Sequence, residues 1–281
     1  MKIIYQNEFC SIINYICTCT DCILSQFEYQ DTLSICFLRK GNFVFHIFRD
    51  ELDTYTGKIL INKPEYEYRV AHEHTVPDEC TIVRFQESAY SYLTSFYKNS
   101  LNGFFHKPDL QSILIPSTVE IDYLHNRIFT LTTSGNNTNM EIDCLLVEFI
   151  DRIFHLSLTD ETGKRLSIRH KENYLSKVER AKDYILAHFS ENITLSDIAS
   201  VSCMSTFHFV RIFHYITQLT PYQYLLDARL KHAEQLLKKT HTAITDIGYL
   251  SGFNTPDHFS TAFRAKYSMA PLFFRQRKRE Q

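Results

Sequence analysis

Glycine and proline are scarce, at seven each in 281 residues. With 44% hydrophobic and 22% charged residues, that excludes a collagen-like, low-complexity or disordered chain and leaves one that can bury cores. Long apolar runs are missing too. None reaches the roughly 20 residues that a membrane-crossing helix needs. Residues 1–20 show no basic start followed by an uninterrupted apolar stretch, so neither a membrane span nor a secretory signal is expected. There is no glycine-rich phosphate loop and no Ser-His-Asp pattern that would indicate a kinase or hydrolase. The length exceeds one typical domain and predicts two.

What is present is unevenly spread. Residues 1–163 hold 12 Lys and Arg against 22 Asp and Glu, and residues 164–281 hold 18 against 10, for local charges of −10 and +8. A basic C-terminal part suits a polyanionic partner, which the acidic N-terminal part would repel. Cys10, Cys17, Cys19, Cys22, Cys36, Cys80 and Cys144 all precede residue 163, and only Cys203 follows. A reducing, cytoplasmic location is expected, which leaves buried thiols, a metal site or redox sensing as uses for them.

Residues 29–85 read as short strands: Leu33–Leu38, Phe43–Phe48, Ile59–Ile61, Glu65–Val70 and Cys80–Phe85, with breaks at Gly57, Pro64 and Pro77 and a further strand over Phe9–Ile16. Their aromatic and β-branched content favours a small antiparallel barrel or sandwich. A short helix is expected over Ser88–Leu101. Between Glu141 and Leu158, Ile142, Leu145, Leu146, Phe149, Ile153 and Leu156 recur at helical spacing. That stripe either docks on its own domain or forms a subunit interface. Asp160–Lys164 is the best linker, with Ser134–Asn137 a lesser loop.

From Glu172 the pattern is helical to the end. Tyr174, Val178, Ala181 and Ile185 mark one face of a first helix. Thr194-Leu195-Ser196-Asp197 has capping-box form, in which hydroxyl and carboxylate satisfy backbone donors at a helix start. Ser205 is placed to cap a further helix that turns Phe209, Ile212 and Phe213 inward and Thr206, Phe207, Val210 and Arg211 outward. One face for a partner helix and one for the major groove is the division a helix-turn-helix needs. Thr220-Pro221 starts a helix carrying Leu225, Arg229, Leu230, Ala233, Leu236 and Leu237, with proline where its missing N–H costs little. The arrangement then repeats. Ile244, Ile247 and Gly248 form a short helix, Leu250–Phe253 a turn, and Thr255-Pro256 a new start with Phe259 and Phe263 inward. Phe209-X-X-X-Phe213 and Phe259-X-X-X-Phe263 lie 50 residues apart.

Residues 172–277, from Thr194–Ala199 through Phe213, Thr220-Pro221, Arg229-Leu230-X-X-Ala233-X-X-Leu236-Leu237, Ile244-X-X-Ile247, Gly252-Phe253 and Phe259-X-X-X-Phe263 to Pro271-X-X-Phe274-Arg275, resemble the AraC/XylS family of bacterial transcription regulators. The resemblance implies a DNA-binding domain over 164–281, with helix-turn-helix units near 194–216 and 243–266 that address successive major-groove segments. Its reading surfaces would be Thr206, Phe207, Val210 and Arg211, then Pro256, Asp257, His258 and Thr261. Arg211 can fork onto guanine or clamp a phosphate, Phe207 and Val210 can touch thymine methyls, and Asp257 can accept from cytosine. Gln218 and Ser268 stand where the family often has Gly, and Gly248 where Ala is usual. A glycine inside that helix costs about 1 kcal/mol of propensity, which makes the second unit the weaker local fold.

The same resemblance implies a cupin-like β-barrel with helices over residues 1–163, used for effector sensing or dimerisation, beside an all-α C-terminal domain. The expected activity is promoter binding and activation, with double-stranded DNA, RNA polymerase, an unidentified effector and a homodimer contact through residues 141–158 as partners, and no cofactor. A metal- or thiol-responsive repressor is the alternative, since Cys17, Cys19, Cys22, His72, His74 and Cys80 include soft ligands of the kind zinc takes; ordinary packing is the plainer reading, and no resident metal is assigned. A cupin-type enzyme using His46, His72 and His74 is disfavoured, because no compact His-X-His with downstream Glu and His is present.

Overall fold

The alternating segments fold as strands in a computed structural model that describes residues 1–18, 24–48, 50–72, 77–134, 139–156 and 171–279. The N-terminal elements are β1 (Lys2–Gln6), β2 (Cys10–Ile16), β3 (Glu28–Gln30), β4 (Ser34–Lys40), β5 (Asn42–Ile47), β6 (Asp50–Tyr55), β7 (Lys58–Asn62), β8 (Tyr66–His72), β9 (Glu79–Phe85), α1 (Glu87–Phe96), β10 (Ser112–Pro116), α2 (Val119–Ser134) and α3 (Asn139–Phe154). The strands form two sheets, β1-β2-β9-β4-β7-β10 and β3-β8-β5-β6.

Side-chain parity builds three layers. Ile35 and Phe37 of β4, Ile59 and Ile61 of β7, and Val83 and Phe85 of β9 enter one core with Leu93, Leu124, Phe149 and Ile153 from the helices. Cys36, Leu38, Leu60 and Cys80, one residue out of phase, enter a second core with Phe43, Phe45 and Tyr66 of the smaller sheet. The central strands β4 and β7 are therefore apolar on both faces.

The expected cupin-like barrel is not formed, because neither sheet closes on itself: β1 and β10 end one, β3 and β6 the other. Alternation marks which residues point inward, and a sandwich and a barrel impose the same alternation. Closure depends on the edges. β6 carries Asp50, Glu51 and Asp53, and β10 ends on Pro116; charge and proline both disfavour further strand pairing. Of the stripe, Leu145, Leu146, Phe149 and Ile153 are buried in the first core and Ile142 is buried as well, so it docks within its own domain, while Met140, Cys144 and Val147 of α3 face outward.

The C-terminal elements are α4 (Ser176–His188), α5 (Leu195–Val201), α6 (Thr206–Thr217), α7 (Pro221–Lys239), α8 (Ile244–Leu250), α9 (Pro256–Tyr267) and α10 (Pro271–Arg279). Backbone contacts divide the chain into Met1–Glu179 and Arg180–Gln281. The expected linker Asp160–Lys164, and with it a boundary at 163/164, lies outside the described residues, as do Gly135–Asn137 of the lesser loop.

Candidate nucleic-acid interface

The first helix pair is α5 and α6. Thr194 caps α5 as expected: its Oγ1 accepts from Asp197 N–H at 3.2 Å. The Thr194 hydroxyl at 2.7 Å, and then its N–H at 2.8 Å, donate back to Asp197 Oδ2 and hold that carboxyl below its ordinary value. Ser205 occupies the cap position of α6 but its hydroxyl makes no cap bond, which corrects the expectation from sequence. α7 is better anchored. Thr220 accepts from Gln223 N–H and Gln223 reaches back to the Thr220 N–H, a reciprocal box that completes the proline start. Thr255 caps α9 by accepting from His258 N–H at 3.2 Å.

The paired phenylalanines behave as their spacing predicts. Phe209, Phe213, Phe259 and Phe263 are all fully buried. Phe213 meets Tyr224 of α7 edge-on at 5.7 Å. Phe259 and Phe263 pack with Leu230, Ala233 and Leu237 farther along the same helix. α7 therefore carries the core of both units, and α10 packs back on it. Its interior holds a buried charge cluster. Lys231 lies 2.9 Å and Lys238 2.5 Å from the Glu234 carboxylate, and Tyr267 donates to it at 3.2 Å. Burial alone would push this carboxyl up; the two lysines outweigh it and pull it down to about 2.

Opposite the buried phenylalanines lie the residues expected to read DNA. Thr206, Phe207 and Arg211 are exposed and Val210 half-buried on α6; Asp257, His258 and Thr261 are exposed and Pro256 half-buried on α9. The Arg211 guanidinium rests 5.8 Å from the Phe207 ring centre and has no acidic partner among the described residues. His258 lies edge-on to Phe253 at 5.4 Å. The 50-residue register adds two residues that sequence reasoning passed over. His208 stands at the register of His258, and Arg264, one turn beyond Thr261, at that of His214; all four are exposed. Carrying each named residue across the repeat would have found His208. Arg275 of α10 is buried, and donates to the Thr242 carbonyl at 2.6 Å.

The turns differ by one residue. The first runs from Ser202 to Ser205, the second from Ser251 to Thr255. Ser202 and Ser251 are both fully buried, and each is followed by a left-handed residue, Cys203 (φ 52°) and Gly252 (φ 84°). A Cβ on Gly252 would lie 2.5 Å from the Phe189 carbonyl oxygen and 2.9 Å from Arg229 Nε. Arg229 donates to that carbonyl at 2.7 Å and to the Glu191 carbonyl at 2.8 Å, tying α7 to the segment before α5. Gly248 faces Phe259, which a Cβ there would approach to 3.1 Å, so close packing accounts for the missing alanine. Gln218 and Ser268 end α6 and α9 at φ 59° and 57°, in the conformation glycine favours.

The proposed metal ligands are not brought together by what is described. Cys19, Cys22 and His74 lie outside the described residues; His72 Nδ1 pairs with Asp78 at 2.6 Å; and no group of three or more candidate ligands occurs among the described residues. No described helix is long and apolar enough to cross a membrane.

A family model described as a helix-turn-helix domain matches residues 198–277. The transcriptional activator RhaS of Enterobacter sp. (strain 638) is 35% identical over 105 residues, 37% of this chain and 38% of its own length. The chain thus spans well under half of that relative. An uncharacterized helix-turn-helix-type regulator, YdeC of Bacillus subtilis (strain 168), is 21% identical over 89% of this chain and 85% of its own. A solved structure of an AraC-type DNA-binding-domain regulator from Chromobacterium violaceum is 30% identical over 37% of this chain and 92% of its own, with a TM-score of 0.35. The agreement of the matched residues with the doubled helix-turn-helix described above places the chain in the AraC/XylS-type family of helix-turn-helix transcriptional regulators.

Proposed function

We propose that the chain binds specific double-stranded promoter sequences and activates transcription, with residues 164–281 reading DNA and residues 1–163 sensing an effector or controlling dimerisation. One observation carries the reading: two helices, α6 and α9, bury phenylalanines at matched positions and present outward residues on a common 50-residue register, in the half of the chain whose net charge is +8. Thr206, Phe207, Val210 and Arg211 form the first contact surface and Pro256, Asp257, His258 and Thr261 the second, joined by His208 and Arg264. Family membership supports a regulatory rather than an enzymatic role, exercised in the cytoplasm and beside RNA polymerase. A homodimer through residues 141–158 would use the outward Cys144 and Val147, since the inner stripe is already buried.

Selection of bound duplexes from a random library with the full chain tests this reading. Two short motifs about one helical turn apart are expected. Arg211→Ala should then reduce discrimination at one base pair by roughly 1–3 kcal/mol if it reads guanine. An equal loss on cognate and scrambled DNA identifies a phosphate contact instead, and no loss removes Arg211 from the interface.

A further inference from the structure

Apolar packing has no preferred direction, so by itself it does not fix how a reading helix is turned about its own axis. Phe259 and Phe263 hold α9 against Leu230, Ala233 and Leu237 of α7, all of them buried. Two polar links, one near each end of α9, supply the missing direction. Toward its end, Lys266 Nζ lies 2.6 Å from Asp227 Oδ1 of α7. At its start, the Tyr222 hydroxyl of α7 lies 3.5 Å from Nε2 of His258. The same imidazole is edge-on to Phe253 at 5.4 Å, and the His258 N–H donates to the Thr255 hydroxyl at 3.2 Å. The His258 ring thus meets a phenol from α7 as well as a phenyl from the turn that precedes α9.

The core does not account for Tyr222. Its neighbours Pro221 and Tyr224 are buried, and Tyr224 packs on Phe213 of the first unit, yet Tyr222 is 58% exposed. Fifty residues on, Leu272 follows Pro271 at the same register of α10 and is exposed as well, so the position on the helix does not itself call for a phenol. What the hydroxyl adds is a directional contact to a residue of the second contact surface. At 3.5 Å it stands at the outer limit of a hydrogen bond and adds little to stability, so its consequence is where the ring points. An imidazole already aimed before DNA arrives has less freedom left to lose on binding. The same contact ties the first turn of α9 to the start of α7, the end that packs on the first unit.

We propose that Tyr222 is a positioning residue for DNA recognition, which aims the His258 ring at the base pairs that α9 addresses. The proposal rests on the reading of α6 and α9 as the helices that contact DNA. It is tested on the full chain by carrying the unaltered protein and Tyr222→Phe through the same library selection. The duplex most enriched by the unaltered chain, and single-base variants of it, are then titrated directly. Tyr222→Phe keeps the ring and loses only the hydroxyl. It should relax base preference at one or two adjacent positions of one motif and weaken the enriched duplex by about two- to tenfold, as for one side chain left to be ordered on binding. The other motif and the thermal unfolding midpoint should not change. His258→Ala should relax the same positions, and Tyr222→Phe added to it should cost nothing further. Unchanged base preference in Tyr222→Phe, an equal loss on every duplex, a lowered unfolding midpoint, or full additivity of the two substitutions overturns the proposal and leaves the DNA reading intact. No enrichment by the unaltered chain overturns the DNA reading and the proposal with it.

Discussion

Replacing Gly252 with alanine should loosen the second helix-turn-helix far more than its one added methyl group implies. Two costs combine. Holding a non-glycine residue at φ 84° costs about 1–2 kcal/mol. The new Cβ also falls 2.5 Å from the Phe189 carbonyl oxygen and 2.9 Å from Arg229 Nε, two atoms now hydrogen-bonded to each other at 2.7 Å. Relief requires that bond to break, at about 1.5–3 kcal/mol for a bond to a charged group. Together these give about 2.5–5 kcal/mol. Gly57 supplies the control, for it sits at φ 94° with nothing within 4 Å of an added Cβ, so Gly57→Ala should cost only the backbone part. Hydrogen exchange on the full chain, resolved by segment, reads both: α8 and α9 amides for Gly252, the amides of β6, β7 and the turn between them for Gly57. If Gly252→Ala opens its segment no more easily than Gly57→Ala opens that turn and its flanking strands, the close approach contributes nothing and the reasoning fails.

Two further expectations concern the same domain. Ser268→Gly and Gln218→Gly should each raise the unfolding free energy by about 0.5–1 kcal/mol, because both residues hold a left-handed cap; the gain should be larger at Ser268, as Gln218 also loses its bond to the Tyr215 carbonyl. Glu234, held at about 2 in the folded state, contributes about 3 kcal/mol that is complete above about pH 5 and lost as pH falls toward 2. Glu234→Gln should remove that stability at neutral pH, take from the buried Lys231 its ion pair with Glu234, and flatten the acid limb of the domain's unfolding curve; an unchanged acid limb would refute the assignment.

The C-terminal domain was legible because its signals are short-range. Thr194, Thr220 and Thr255 cap helices through bonds spanning three residues, and Phe209 and Phe213, like Phe259 and Phe263, sit one turn apart. Ser205 has the right residue type for a cap without the bond. The N-terminal domain was harder to read. α2 buries Ile121, Asp122, Tyr123, Leu124 and His125 in succession, so it has no helical period to detect. β6 is too acidic to look like a strand, and β1, β3 and β10 are only three to five residues long. Sheet closure rests on which edges pair, a non-local choice, and there the barrel expectation failed.

α7 would act as both ruler and dial for the two helices proposed to read DNA. Its 19 residues extend about 28 Å, and each further residue would lengthen it by about 1.5 Å while rotating whatever follows by about 100°. Because Phe213 packs near its start and Phe259 and Phe263 near its end, inserting one alanine mid-helix would leave each unit's local packing intact yet turn α9 away from the groove that α6 addresses. The spacing and phase of an operator would thus be set by the length of one helix, and could change in evolution only in steps of whole residues.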